Sequence, residues 1–170
     1  IYENAKDDPW IDLFKLPIWI DDLIEKGFLG SKTKKGVYEK KGKDIYVFDT
    51  KKNEYRLSDK TISPEVKKIL KENGSIEKAL LSLSECDDPQ AQFLWSVYRD
   101  VFHYACYQLE HLAETVRCVD LALKSGFGWQ RGIFEQAQLT GWSAMRDNLI
   151  ADIDSGKVLL EKPEGYVESA

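Results

Sequence analysis

The chain has 170 residues, with 24 Lys and Arg against 29 Asp and Glu, for a formal net charge of −5. Hydrophobic residues at 43% and charged residues at 31% give the balance of a folded globular chain and exclude a disordered, highly charged one. No apolar run reaches the roughly 18 residues that a membrane-crossing helix needs.

The opening Ile1-Tyr2-Glu3-Asn4 has neither the basic nor the apolar region of a secretory signal. A start on Ile1 rather than Met leads us to expect a piece of a longer protein. The three cysteines, Cys86, Cys106 and Cys118, show no Cys-x-x-Cys spacing. That sparse, odd count points to reduced thiols and a reducing compartment, the cytoplasm.

Residues 1–15 read as irregular and aromatic-rich, with Tyr2, Trp10 and Phe14. A short helix is expected from Pro17, with Ile20, Leu23 and Ile24 on one face and Gly27 ending it. Gly27 to Tyr38 is a glycine-punctuated loop. Residues 44–57 read as a β-hairpin: Ile45-Tyr46-Val47-Phe48 out, Thr50 to Asn53 as the turn, and Tyr55-Arg56-Leu57 back.

The rest reads as helical. Ser63-Pro64-Glu65 is a cap, a first-turn proline and a first-turn acid, and that helix runs to about Lys71. Ser75 caps a second helix, to about Leu83. Asp88-Pro89 opens the longest, to about Leu112, with apolar residues around nearly its whole circumference. Such a helix is central and buried, or half-covered by another domain. Helices at about Val116–Ser125 (ended by Gly126), Ile133–Leu139 and Ser143–Asp154 complete a mainly α fold with one β-hairpin insert.

Charge is uneven. From Lys26 to Lys60 there are ten Lys and one Arg against Glu39, Asp44, Asp49, Glu54 and Asp59, a local charge of +6 in a chain of net −5. The stretch reads either as a solvated lysine-rich face or as a patch for anionic groups such as the phosphates of a nucleotide-bearing thioester. Nucleic acid is not expected as a partner, because the patch is local and no nucleic-acid motif accompanies it.

An internal echo accompanies this pattern. Gly27 and Gly36 recur 129 residues later as Gly156 and Gly165, with Leu29 matching Val158 and Val37 matching Tyr166. Each segment follows a helix with a Leu-Ile pair, Leu23-Ile24 and Leu149-Ile150. The chain then holds the end of one module and most of a second.

No set of residues reads as a complete active site. Gly126-Phe127-Gly128-Trp129-Gln130-Arg131-Gly132 is spaced one residue too long for a dinucleotide fingerprint and follows a helix, not a strand. It is expected to be a sharp helix-to-helix turn, with Phe127 and Trp129 folded onto the core. His103 and His111 are eight residues apart on one helix, roughly 12 Å and too far to share a metal. Cys106 and Glu110 nearby do not complete a zinc set. His103 is expected to be a hydrogen-bonded histidine at the core edge, and Cys106 and Cys118 to be buried, inert thiols. Of the acid pairs, Asp87-Asp88 reads as capping, while Asp21-Asp22 and Asp152/Asp154 read as solvated. No catalytic, cofactor-binding or metal-ligating residue is therefore expected in the chain.

Two segments point to a family. Val119-Asp120-Leu121-Ala122-Leu123-Lys124-Ser125-Gly126-Phe127-Gly128-Trp129-Gln130-Arg131-Gly132-Ile133-Phe134-Glu135 resembles the signature of the C-terminal helical module of 3-hydroxyacyl-CoA dehydrogenases, roughly V-D-x-A-x-x-x-G-x-G-W/x-x-x-G-P-F-E. Leu23 to Tyr38 resembles the end of the same module, L-x-x-x-G-x-L-G-x-K-T-G-x-G-F-Y. The tail comes first and the head second, as in long members with two such modules. The hairpin insert suits bacterial members fused to an enoyl-CoA hydratase-like domain. Ile133, Gln138, Lys34 and Val37 depart from the pattern, standing where Pro, Asp, Gly and Phe are usual.

The resemblance implies a helical bundle of this C-terminal type, with residues 1–42 as the tail of a first module, 43–60 as the hairpin insert and 61–170 as the second module. It implies oxidation of the 3-hydroxyl of an acyl-CoA in fatty-acid β-oxidation. A histidine base oriented by a glutamate acts in that reaction, and hydride passes from C3 to NAD. Those residues and the NAD site belong to an N-terminal nucleotide-binding domain, to which neither His103 nor His111 corresponds. The implied partners are that domain, the acyl-CoA substrate and, in a homodimer, a second copy. On this reading the chain supplies cleft wall and dimer or pseudo-dimer contacts, binds no NAD and is inactive alone. The other reading is a non-catalytic α-helical interaction or oligomerisation module.

Overall fold

The computed structural model describes residues 6–8 and 10–158. The expectations for Tyr2, Gly165 and Tyr166 lie outside the described residues. The chain divides into two compact units, Ile1–Thr61 and Ile62–Ala170.

The first unit carries a 3-10 turn at Ile11–Phe14, helix α1 (Ile18–Glu25) and three strands, β1 (Tyr38–Lys41), β2 (Asp44–Asp49) and β3 (Glu54–Leu57). Strands β2 and β3 are the expected hairpin, paired antiparallel with Val47 opposite Arg56 and Phe48 opposite Tyr55. Asp49 shapes the turn between them by accepting the Lys51 and Lys52 N–H groups at 3.0 and 3.1 Å. Strand β1 was not expected. It adds antiparallel to β2 across a turn at Gly42, whose φ is +62°, and makes the hairpin a three-stranded meander. Its sequence, Tyr38-Glu39-Lys40-Lys41, is poor in strand formers, so its partner and not its own propensity holds it extended. Trp10, Leu23 and Phe48 are buried in this unit.

The second unit is a helical bundle: α2 (Pro64–Asn73), α3 (Ile76–Ser84), α4 (Pro89–Leu112), α5 (Val116–Phe127), α6 (Ile133–Thr140) and α7 (Trp142–Asp154). The caps read from sequence hold. Ser63 Oγ accepts from Val66 N, Ser75 Oγ from Lys78 N, and Asp88 from Gln90 N and Ala91 N. The C-terminus of α5 corrects the expectation: Gly126 lies inside the helix, and Gly128 in left-handed conformation terminates it.

Helix α4 runs through the core with Ala91, Trp95, Phe102 and His103 buried, against Val66, Leu80, Leu83, Ile133, Met145 and Leu149. Phe102, Phe134 and Trp142 form an aromatic cluster with ring centroids 5.5–6.1 Å apart. The opposite face of α4 is bare: Phe93, Val97 and Leu112 are exposed.

The internal echo has a backbone counterpart. Gly27 (φ +74°) and Gly156 (φ +72°) follow α1 and α7. Phe28 N–H reaches Leu23 O at 2.8 Å and Gly27 N–H reaches Ile24 O at 2.9 Å. Lys157 N–H reaches Asp152 O at 2.9 Å and Gly156 N–H reaches Ile153 O at 3.0 Å. Both ends use the same closing motif. This register sets Leu23-Ile24 against Asp152-Ile153, not against Leu149-Ile150.

Candidate functional site

The signature segment folds into one capped junction. Helix α5 presents Asp120, 5% exposed, to the start of α6. Its carboxylate accepts Phe134 N–H at 2.9 Å and Glu135 N–H at 3.0 Å, satisfying two donors that a helix start leaves without intrahelical partners. Burial pushes the Asp120 carboxyl above its ordinary range even though both amides favour its ionised form. Glu135 turns back to accept Gly132 N–H at 3.1 Å and pairs with Lys124 at 3.0 Å. The Lys124 ammonium and the Gly132 amide hold Glu135 below the usual carboxylate range. Asp120, Lys124, Gly128, Gly132, Phe134 and Glu135 are thus occupied in joining α5 to α6. Trp129 packs on the core as expected. Phe127 does not, being 75% exposed: the helix ends two residues later than read, at Gly128 instead of Gly126, which leaves Phe127 on the outer face of the last helical turn.

A second polar cluster joins α4 to α7. Asp152 accepts from Trp95 Nε1 at 2.7 Å and Arg99 Nη1 at 2.9 Å, and Lys157 Nζ lies 3.5 Å away. Arg99 also pairs with Asp100 at 2.8 Å. Burial pushes Asp152 up, but the Trp95 and Arg99 bonds outweigh it and hold the carboxyl below its ordinary value. The expectation that Asp152 is solvated is therefore corrected. The signal in the sequence was its place: Met145, Leu149 and Asp152 share the buried stripe of α7.

Other candidates fall apart from one another. His103 is fully buried, not at the core edge, and burial holds its imidazole below the ordinary value. His111 is exposed. Cys86 and Cys106 are half-buried, and Cys118 is exposed instead of buried, its Sγ accepting from Thr115 Oγ1 at 3.3 Å. Asp21 and Asp22 are exposed as expected. Among the described residues no three His, Cys, Asp or Glu side chains gather to hold a metal. No helix there is long and apolar enough to cross a membrane.

The described residues do not form the strand–loop–helix that cradles a dinucleotide in a doubly wound fold. The three strands form an antiparallel meander, and the glycine loop Gly126–Gly132 leaves a helix. The architecture that sets a pyrophosphate on a helix start needs a strand feeding that loop.

Both units carry concavities. In the first unit a groove of about 1000 Å³ is lined by Ile24, Phe28, Leu29, Val37, Tyr38 and Ile45, with Lys34 and Lys40 at its walls. The loop beside it is tightly made. Thr33 Oγ1 accepts Leu29 N–H at 2.9 Å and donates to Lys35 O at 2.8 Å. Lys35 Nζ sits over the Phe28 and Tyr55 rings at 4.4 and 4.6 Å. In the second unit a pocket of about 440 Å³ lies among Ile76, Val97, Tyr98, Val101, Trp129 and Ile133, edged by the Arg131–Glu77 pair at 3.2 Å.

No family model matches the chain, and no solved structure does. A curated protein of Bacillus subtilis (strain 168), named "Probable 3-hydroxyacyl-CoA dehydrogenase", is 31% identical over 149 residues, 88% of this chain. The chain spans 19% of that relative's length. Over 88% of its length, the chain is thus similar to one portion of that probable 3-hydroxyacyl-CoA dehydrogenase.

Proposed function

We propose that the chain is the helical C-terminal portion of an NAD-dependent 3-hydroxyacyl-CoA dehydrogenase of cytoplasmic fatty-acid β-oxidation. In this reading residues 1–42 end a first helical module, 43–60 are an insert and 61–170 are a second module. The chain contributes acyl-CoA cleft wall and dimer or pseudo-dimer contacts, and is inactive without its nucleotide-binding domain.

The observation that carries the reading is the Asp120–Gly132–Glu135 junction. The residues that resemble the family signature are consumed in capping and close packing, which is the role of a scaffold. The bare apolar face of α4, with Phe93 and Val97 exposed, supports it further, since a self-sufficient module would cover such a face. Base, orienting acid and NAD site are supplied by residues outside this chain. Its own part is to shape and dry an apolar wall along the substrate.

Calorimetric titration of the chain with acetoacetyl-CoA and, separately, with NAD at modest salt tests this, together with a hydride-transfer assay. Weak thioester binding, no NAD binding and no turnover are expected. Tight NAD binding, or turnover by this chain alone, overturns the reading. Binding of neither ligand moves the weight to assembly contacts and to a non-catalytic interaction module.

A further inference from the structure

The pocket of the second unit contains a polar group that the packing of the bundle leaves unused. Gln136, on α6, is one of its lining residues and is 7% exposed. Its Nε2 donates to Arg131 O at 2.9 Å. Its Oε1 is buried and accepts no hydrogen bond among the described residues. Turning the amide over would set Oε1 against the Arg131 carbonyl, acceptor against acceptor, so the Arg131 bond fixes the orientation. A buried acceptor without a donor is costly, and native structures leave few of them. The walls around Gln136 are apolar and aromatic, with Val97, Val101, Ile133, Tyr98 and Trp129. The charges at the edge, Arg131 and Glu77, are paired with one another at 3.2 Å, so no net charge stands there to select an ion. A volume of about 440 Å³ is far more than one bridging water needs.

We propose that this pocket binds an uncharged aromatic small molecule carrying one O–H or N–H donor, which it gives to Gln136 Oε1 while its ring lies against Tyr98 and Trp129. Mostly apolar walls with one placed polar atom are the usual make-up of such a site: the walls supply affinity and the lone acceptor sets orientation. A donor reaches the buried Oε1 as the lining gives way. The Arg131 side chain, 47% exposed and held by its pair with Glu77, is the part of that lining freest to move. The acceptor also makes the site selective, because a ligand of the same shape without the donor leaves Oε1 unpaired in a dry pocket. All the lining residues belong to the second unit, on α3, α4, α6 and the loop before α6. The proposal draws nothing from the dehydrogenase reading.

Titration of the isotope-labelled chain with 2-naphthol and, separately, with 2-methoxynaphthalene, followed by NMR, tests it. The second probe keeps the rings and loses the donor. The resonances of the Gln136 side-chain amide and the Trp129 indole N–H should shift with 2-naphthol, which should bind at least tenfold more tightly than the ether. Gln136→Met keeps the length of the side chain and removes the acceptor, so it should weaken 2-naphthol about tenfold, to the level of the ether, and leave the ether unchanged. Val97 is 45% exposed, and Val97→Trp should fill the pocket from its open side and abolish binding of both probes with no change in thermal midpoint. That variant and the ratio of the two probes decide the matter even where Gln136→Met does not fold. Equal affinity for the two probes, shifts confined to other residues, binding that survives Val97→Trp, or no binding up to the solubility of 2-naphthol each overturns the proposal. Acetoacetyl-CoA should not displace 2-naphthol. Displacement would make the pocket part of the thioester cleft, which overturns this inference and supports the functional one.

Discussion

A Cβ added at Gly132 would lie 2.1 Å from Asp120 Oδ1 and 2.3 Å from Asp120 Cβ. The glycine is required by this approach and not by its backbone, whose φ is −72°. The aspartate comes so close because it caps α6. Asp120→Ala should cost about 1 kcal/mol, the ordinary loss on removing a cap. Gly132→Ala should cost more, since α5 and α6 must part. The two together should not rescue each other, because the Asp120 Cβ itself blocks the new methyl. Urea unfolding followed by Trp129 and Trp142 fluorescence reads all three. Recovery of stability in the double variant would sink the account.

Asp152 anchors α7 to α4, and its removal takes the acceptor from the buried Trp95 Nε1–H and leaves the buried Arg99 guanidinium with Asp100 as its one carboxylate partner among the described residues. Asp152→Ala should cost about 3–5 kcal/mol, the range for breaking a buried pair from one side. Its carboxyl is held below the ordinary value. The unfolded chain therefore binds that proton more readily, and the stability Asp152 contributes is present above its unfolded pKa. It is lost as pH falls through the folded value. Asp120 carries the opposite sign, because its raised value makes the native state the better proton binder. Asp152→Asn should flatten the acid limb of a stability–pH curve, and Asp120→Asn should not.

The helices were legible because their ends carry chemistry: Ser63, Ser75 and Asp88 are caps in sequence and in space. Their interiors carry period. Strand β1 was not legible, because Lys40 and Lys41 are extended only through pairing with Ile45 and Asp44. The fate of single side chains was least legible. Asp152 and His103 look like surface residues by type, and only their place on a buried stripe shows otherwise. Asp120 could be recognised as part of a signature, but that it caps a helix 14 residues away depends on the turn at Gly128.

His103 should make the bundle acid-sensitive. It is buried among core residues, with Arg99 and Asp100 as its charged neighbours, and burial holds its pKa below 6.5. The unfolded chain takes up the proton first, so stability should decline as pH drops below about 6.5, until the folded value is reached. His103→Gln should lose that slope. An imidazole resonance of His103 that titrates at or above 6.5 by NMR would refute the prediction.

Thiol chemistry should separate the cysteines. Cys118 is exposed on the first turn of α5, while Cys86 and Cys106 are half-buried. In the native protein one equivalent of a disulfide reagent should react fast, and Cys118→Ser should abolish that phase. Denaturation should release the other two. Three equal rates in the native state would contradict this placement.

Lys34 occupies a left-handed position, φ +59° and ψ +9°, where the resembling family motif has glycine. A side chain with a Cβ costs roughly 1–2 kcal/mol there, and glycine's larger unfolded-state entropy returns roughly 0.5–1 kcal/mol of that. Lys34→Gly should therefore stabilise the first unit by about 0.5 kcal/mol, and Lys34→Val should destabilise it, because a branched Cβ tolerates this conformation least. Asn53, also left-handed at φ +56°, is the internal control. Asparagine tolerates the region, so Asn53→Gly should gain less. Hydrogen exchange across residues 30–41 measures the first pair of variants and exchange across 49–57 measures the control. Faster exchange in Lys34→Gly than in the parent would show that the lysine side chain holds the loop, outweighing its backbone strain.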